Sequence, residues 1–191
     1  MLTLYGSVTS PYVRRLRILM EGKDFEFSNI HLFNPEDRKM LTEKNPTLKI
    51  PMLQDGDAVI YDSRVIFRYL SDKLDLPAIT WEQENLLTVI DSANDSFVQM
   101  FILSNSEFDT SDDRLYFNLQ RERIGVVFKT LEAEVQKGTF DNWDYPAICL
   151  YCMLDWVTFR NLYDYSEYEA LNKFYAANSD RSIVKETIPH D

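Results

Sequence analysis

The chain is short of the residues that staple or punctuate a fold. Among its 191 residues are two cysteines, two histidines and five glycines. A single pair, Cys149 and Cys152, cannot build a disulfide framework. His31 and His190 stand at no partner spacing, and the chain carries no metal motif, no phosphate loop and no Ser-His-Asp arrangement. Basic side chains are also in deficit: 20 Lys and Arg against 31 Asp and Glu leave a net charge of −11. Binding nucleic acid or an anionic membrane needs a basic surface, so neither partner is expected. No run reaches the ~20 apolar residues that a bilayer demands. The opening Met1-Leu2-Thr3-Leu4-Tyr5 lacks the basic leader and apolar stretch of a signal peptide. A cytoplasmic location is the expectation.

What is present suffices for a core: 45% of residues are apolar and 14% aromatic, enough to exclude wholesale disorder. The first 75 residues alternate in character. Thr3-Leu4-Tyr5 reads as a strand, Gly6-Ser7-Val8-Thr9 as a turn, and Ser10-Pro11 as a helix start, with a hydroxyl cap and proline at the first helical position. Val13, Leu16, Leu19 and Met20 give that helix its apolar face, flanked by Arg14, Arg15 and Arg17; Gly22-Lys23 stops it. Phe25 to Ile30 alternates as a second strand, and Pro35 to Lys44 reads as a polar surface helix. Met52-Leu53 and Val59-Ile60-Tyr61 flank Gln54-Asp55-Gly56-Asp57, a hairpin signal in which both turn residues must tolerate positive φ. Asp62-Ser63 then caps a helix whose Val65, Ile66, Tyr69 and Leu70 face inward. The order β-α-β-α-β-β-α implies a mixed four-stranded sheet with helices on its faces.

From residue 80 the period is helical throughout. Helices are predicted from Trp81 to Ser104, Arg114 to Lys137, about Asp144 to Asn161, and Glu167 to Ala177, with the acidic stretch Glu107 to Asp112 breaking the first two. The division is thus an α/β domain over 1–75, a linker over 76–80 and an all-helical domain over 81–191. The two cysteines fall at i and i+3 in an apolar helix stretch, where buried core thiols are expected rather than a redox pair.

Four segments carry a resemblance. Leu4-Tyr5-Gly6-Ser7, Ser10-Pro11-Tyr12-Val13-Arg14-Arg15, Asn45-Pro46 with Lys49-Ile50-Pro51-Met52-Leu53, and Tyr61-Asp62-Ser63 resemble, in order and spacing, a bacterial glutathione S-transferase. Asp141-Asn142-Trp143-Asp144 is similar to a helix-capping segment of that family, although the helical half matches mainly in architecture. The resemblance implies a thioredoxin-like domain followed by an all-helical domain. It also implies a homodimer, with the hairpin and the helix beginning at Ser63 nearest the partner's helices.

The same segments supply candidate site residues. Ser10 on local chemistry is a helix cap; the resemblance implies that its hydroxyl, beside the positive end of a helix, favours the thiolate of glutathione as the catalytic group. Ser7 and Tyr5 are weaker competitors. Serine cannot form a mixed disulfide, so disulfide exchange through the protein is not expected. Pro51 opens a strand; the resemblance implies a cis bond after Ile50 that turns the Ile50 backbone toward the cysteinyl unit, in the manner of an added strand. Lys49 would meet the glycyl carboxylate. Ser63 and the helix amides would hold the γ-glutamyl carboxylate and Asp62 its ammonium. Arg14, Arg15 and Lys49 are expected around this anionic ligand. Leu48 replaces the family's usual glycine, making a left-handed turn costly and a differently shaped loop the expectation. Tyr12, Phe97, Phe101, Trp156 and Phe159 are candidates for a second-substrate pocket, although an aromatic stripe at helical spacing is more often core. The implied activity is attack of bound glutathione's thiolate on a small electrophile, with glutathione as co-substrate and no metal. A catalytically silent binding or regulatory protein and a glutathione-dependent peroxide reductase are the alternatives.

Overall fold

Residues 1–32 and 34–190 are described by a computed structural model. The chain divides into two units, Met1–Ala78 together with the segment from Arg181 onward, and Ile79–Asp180.

The first unit alternates strands and helices, and is thioredoxin-like. Strand β1 (Leu2–Gly6) runs parallel to β2 (Phe25–Asn29) and antiparallel to β3 (Met52–Asp55), which pairs antiparallel with β4 (Ala58–Tyr61). The order β2-β1-β3-β4 makes a mixed four-stranded sheet. Helices α1 (Pro11–Leu19), α2 (Pro35–Lys44) and α3 (Ser63–Leu74) are intercalated. Each begins at a polar side chain that bonds the first-turn amides: Ser10, Asn34 and Asp62. Leu4, Leu53, Val13, Leu16, Ile66 and Leu70 form the core.

Several expectations are corrected here. Asp55 and Ala58 are paired strand residues, so the hairpin loop is Gly56-Asp57, and of these only Gly56 has positive φ, at +57°. Val65 faces outward at 50% exposure, while Phe67 takes an inward place beside Ile66 and Leu70. Arg14 and Arg15 do not flank the apolar face of α1: they are buried, at 2% and 0% exposure. The chain also closes with a helix that its composition did not announce, α8 (Ser182–Glu186), and this segment belongs with the first unit, not with the helical half.

The second unit is helical: α4 (Trp81–Asn105), α5 (Leu115–Gln136), α6 (Tyr145–Phe159) and α7 (Glu169–Asn178). A capping box between Thr80 and Gln83 starts α4. Helix α4, contrary to the reading that no apolar run is long enough, has the length and composition to cross a bilayer. Here it packs on α5 and α6 as a core helix and buries Leu87, Ile90, Ala93 and Phe97. Asp144 joins two helix starts, accepting from Ala147 N of α6 at 3.1 Å and from Gln83 Nε2 of α4 at 2.8 Å. Glu132 of α5 caps α7, its two carboxylate oxygens accepting from Ala170 N and Leu171 N at 2.9 Å each. Phe128 is the hub of an aromatic core, 4.9 Å from Tyr163 and 5.8 Å from Tyr165 and Tyr168. Cys149 and Cys152 are buried thiols of α6.

Candidate functional site

Register places the candidate residues at one end of one sheet. Tyr5, near the end of β1, pairs with Met52 at the start of β3, and Met52 pairs with Tyr61 at the end of β4. The turn after β1 that carries Ser10, the Ile50-Pro51 approach to β3 and the Asp62-Ser63 exit from β4 therefore emerge together. The end of β2 joins them, since Gly6 pairs with Asn29. Open α/β sheets bind ligands beyond the carboxyl ends of their strands, and this is that end for β1, β2 and β4.

Ser10 is the N-cap of α1. Its backbone is extended, and its Oγ accepts from Val13 N at 3.4 Å. A hydroxyl has one donor and two acceptor lone pairs. Capping uses a lone pair, so the same oxygen can still donate its hydrogen to a thiolate. Pro11 contributes no amide, so the hydrogen of the Ser10 hydroxyl is the donor that this oxygen brings to the terminus. The turn before it is pinned from two sides. Ser10 N donates to Ser7 O at 3.1 Å, and Val8 N donates to Asn29 Oδ1 at 3.1 Å. Val13 lies so close to Gly6 that a Cβ on Gly6 would stand 2.3 Å from Val13 Cγ2.

The second segment is built around a residue whose role the sequence concealed. Asn45 is fully buried; its Nδ2 donates to Lys49 O at 2.7 Å, while its Oδ1 accepts from Thr47 N at 2.9 Å and from Thr47 Oγ1 at 2.7 Å. This clamp folds residues 45–49 into a tight loop. Leu48 adopts the left-handed conformation at φ +54° after all, so the leucine bears the backbone cost and the turn is kept. The Ile50-Pro51 bond is cis. Ile50 precedes the first ladder pair of β3, outside the sheet's own pairing. Lys49 is exposed, whereas Arg14 and Arg15 are buried within the unit, so Lys49 alone of the three basic candidates is at the surface.

The third segment is the start of α3. Asp62 is exposed with φ +74°, and its Oδ1 accepts from Arg64 N at 2.9 Å and Val65 N at 3.3 Å. Capping thus occupies one carboxylate oxygen. Ser63 is buried at 4% exposure. Asn29 and Asn45 are the positions that sequence reasoning passed over. Asn45 lay within the Asn45-Pro46 motif, and a polar residue directly before proline was the available signal.

The aromatic candidates divide between the units. Tyr12 is half-buried in the first, with the Arg15 guanidinium 4.9 Å from its ring centroid. Phe97 is a core residue of the second, 3% exposed and edge-on to Phe128 at 5.9 Å. Trp156 is buried and edge-on to the half-buried Phe101 at 5.7 Å. The Arg160 guanidinium lies 4.4 Å from the Phe159 ring and 5.4 Å from that of Phe101. Among the described residues no group of three or more His, Cys, Asp or Glu could hold a metal ion.

A mixed sheet of this order, with a capped serine, a cis-proline loop and an Asp-Ser helix start at one end, defines a thioredoxin-like domain. Comparison with known proteins agrees. The family described as glutathione S-transferase, N-terminal domain, matches residues 4–78. The GST-like protein YibF of Escherichia coli is 30% identical over 173 residues, covering 83% of each chain. A glutathione S-transferase of Triticum aestivum is 39% identical over 72 residues, 37% of this chain and 32% of its own length. Among solved structures, a glutathione S-transferase from Methylobacillus flagellatus with glutathione bound superposes over 100% of both chains, with TM-score 0.87 and 23% identity. A glutathione transferase family member from Pseudomonas fluorescens with bound glutathione does so with TM-score 0.82 and 26% identity. The chain belongs to the glutathione S-transferase family.

Proposed function

We propose that the chain binds reduced glutathione at this end of the sheet and activates its thiol for attack on a small electrophile. The observation that carries the reading is the register that gathers Ser10, Ile50-Pro51 and Asp62-Ser63 at one strand end. The glutathione-bound relative from Pseudomonas fluorescens, matched along its whole length, supports the choice of ligand.

In this reading the Ile50 backbone pairs with the cysteinyl unit as an added strand. Lys49 meets the glycyl carboxylate. The free Asp62 oxygen takes the γ-glutamyl ammonium, and Ser63 with the first amides of α3 takes its carboxylate. The Ser10 hydroxyl then donates to sulfur. An unperturbed thiol has a pKa of ~8.5, so stabilising the thiolate raises the reactive fraction at neutral pH. Catalysis comes from that stabilisation and from holding the electrophile close, with no covalent enzyme intermediate.

A homodimer in the cytoplasm completes the proposal. Leu115, Leu119 and Val126 are exposed at 76%, 45% and 59% and fall on one stripe of α5, a surface suited to a second copy. Titration calorimetry with reduced glutathione tests the central reading: saturable heat is expected, and no heat at millimolar ligand rejects it. Sedimentation at a monomer mass of 22.5 kDa rejects the dimer.

A further inference from the structure

We propose that the C-terminal segment is a positioning element of the thiolate site, acting through Arg14. The proposal rests on the reading of Ser10 given above. Arg14 lies one helical turn after Ser10, its amide donating to Ser10 O at 3.0 Å. Its guanidinium is buried and grips the chain's last helix: Nη2 donates to Val184 O at 2.9 Å, and Nε donates to Thr187 Oγ1 at 3.3 Å. Thr187 Oγ1 in turn donates to Ile183 O at 2.7 Å.

This arrangement is reciprocal. Helix α8 has 5 residues, too few to persist alone, and its last carbonyls need donors. A cation at a helix C-terminus supplies them and suits the dipole. Conversely, Arg14 is a buried charge, and a buried charge that loses its partners is costly. The strap therefore holds α1 as much as α1 holds the strap.

The first turn of α1 is consequently clamped from two directions. Val13, whose amide bonds the Ser10 oxygen, is locked against Gly6. Arg14, the next residue, is locked to α8. The turn that carries Ser10 is thereby held to β1 through Val13 and to α8 through Arg14. Arg14 is thus a positioning residue, and a segment distant in sequence sets the place of the catalytic hydroxyl.

Two full-length variants test this. Thr187→Val keeps the side-chain shape but removes the acceptor for Arg14 Nε; Arg14→Met removes the guanidinium. Hydrogen exchange at the Val13 and Arg14 amides should speed up about tenfold, the worth of one bond to a charged group. The apparent pKa of the bound glutathione thiol should rise by about half a unit to one unit. Glu132→Gln, which weakens the α7 cap instead, should lower the melting temperature and move neither quantity. Either quantity staying at its wild-type value in Thr187→Val overturns the proposal, whether or not Arg14→Met folds. If the wild-type chain binds no glutathione while α1 exchange responds as expected, the reading of Ser10 fails and the coupling stands.

Discussion

Gly6→Ala is a small change with a large local consequence. A Cβ built on Gly6 stands 2.3 Å from Val13 Cγ2 and 2.8 Å from Cγ1, whereas carbon atoms in contact sit at about 3.5 Å. The gap must therefore open by about 1.2 Å, 3.5 less 2.3. Val13 cannot rotate out of the way, because a β-branched side chain in a helix has one strongly preferred rotamer, and this one is fully buried. The first turn of α1 has to move, and the Ser10 oxygen moves with it. Overpacking of this kind costs about 1–3 kcal/mol, which for a chain of this size lowers the melting temperature by roughly 2–12 °C. Misplacing a reacting group by about 1 Å costs up to ~100-fold in rate. Thermal melts and kcat/KM with an aryl halide at saturating glutathione measure both. We expect kcat/KM to fall at least about tenfold in a protein that remains folded at assay temperature. Gly125→Ala is the control, since a Cβ there meets nothing within 4 Å; on helix propensity it should stabilise by about 0.5–1 kcal/mol. If Gly6→Ala matches wild type in both measurements, the close packing of β1 on α1 does not position Ser10.

Further perturbations probe other parts of the account. Asn45→Leu strips the amide that holds Lys49 O and Thr47; it should cost about 1–3 kcal/mol in chemical denaturation and weaken glutathione binding, seen by calorimetry. Leu48→Gly relieves a left-handed residue at φ +54°, and should be neutral or stabilise by up to about 1 kcal/mol, where glycine elsewhere in a loop would destabilise. Asp55 accepts from Tyr69 OH at 2.5 Å and from Lys73; the Lys73 ammonium first, then the Tyr69 hydroxyl, hold its carboxyl below the usual carboxylate range. A depressed folded pKa contributes stability above the unfolded value and loses it as pH falls through the folded one. Wild type should thus exceed Asp55→Asn in stability at neutral pH, and the two should converge in acid below about pH 4.

Local chemistry made most elements legible. The start of α2 at Pro35, of α4 after Thr80 and of α6 after Asp144 follow from capping residues whose role depends on the next few amides. The hairpin was announced by Asp55-Gly56, although the ladder extends two pairs further than alternation suggested, through Gln54–Val59 and Asp55–Ala58. The candidate site was legible because its three segments are motifs at helix and strand ends. What stayed hidden depended on tertiary partners. Arginine on an amphipathic helix reads as solvated, and only the return of residues 182–187 onto α1 explains why Arg14 is buried. Helix α8 is too short to show a period. Val65 and Phe67 exchanged places because the face of a helix next to a sheet is set by the sheet. Asn45 looked like a turn residue, and its burial arises from a loop that closes over it.

The central claim is that Ser10 stabilises the thiolate of bound glutathione. Its most direct test is the ultraviolet thiolate titration of the glutathione complex in wild type and in Ser10→Ala. In wild type the bound thiol is expected to titrate below its solution value, and in the variant to return toward about 8.5 with the complex still formed. A bound thiol that titrates identically in the two proteins would contradict it.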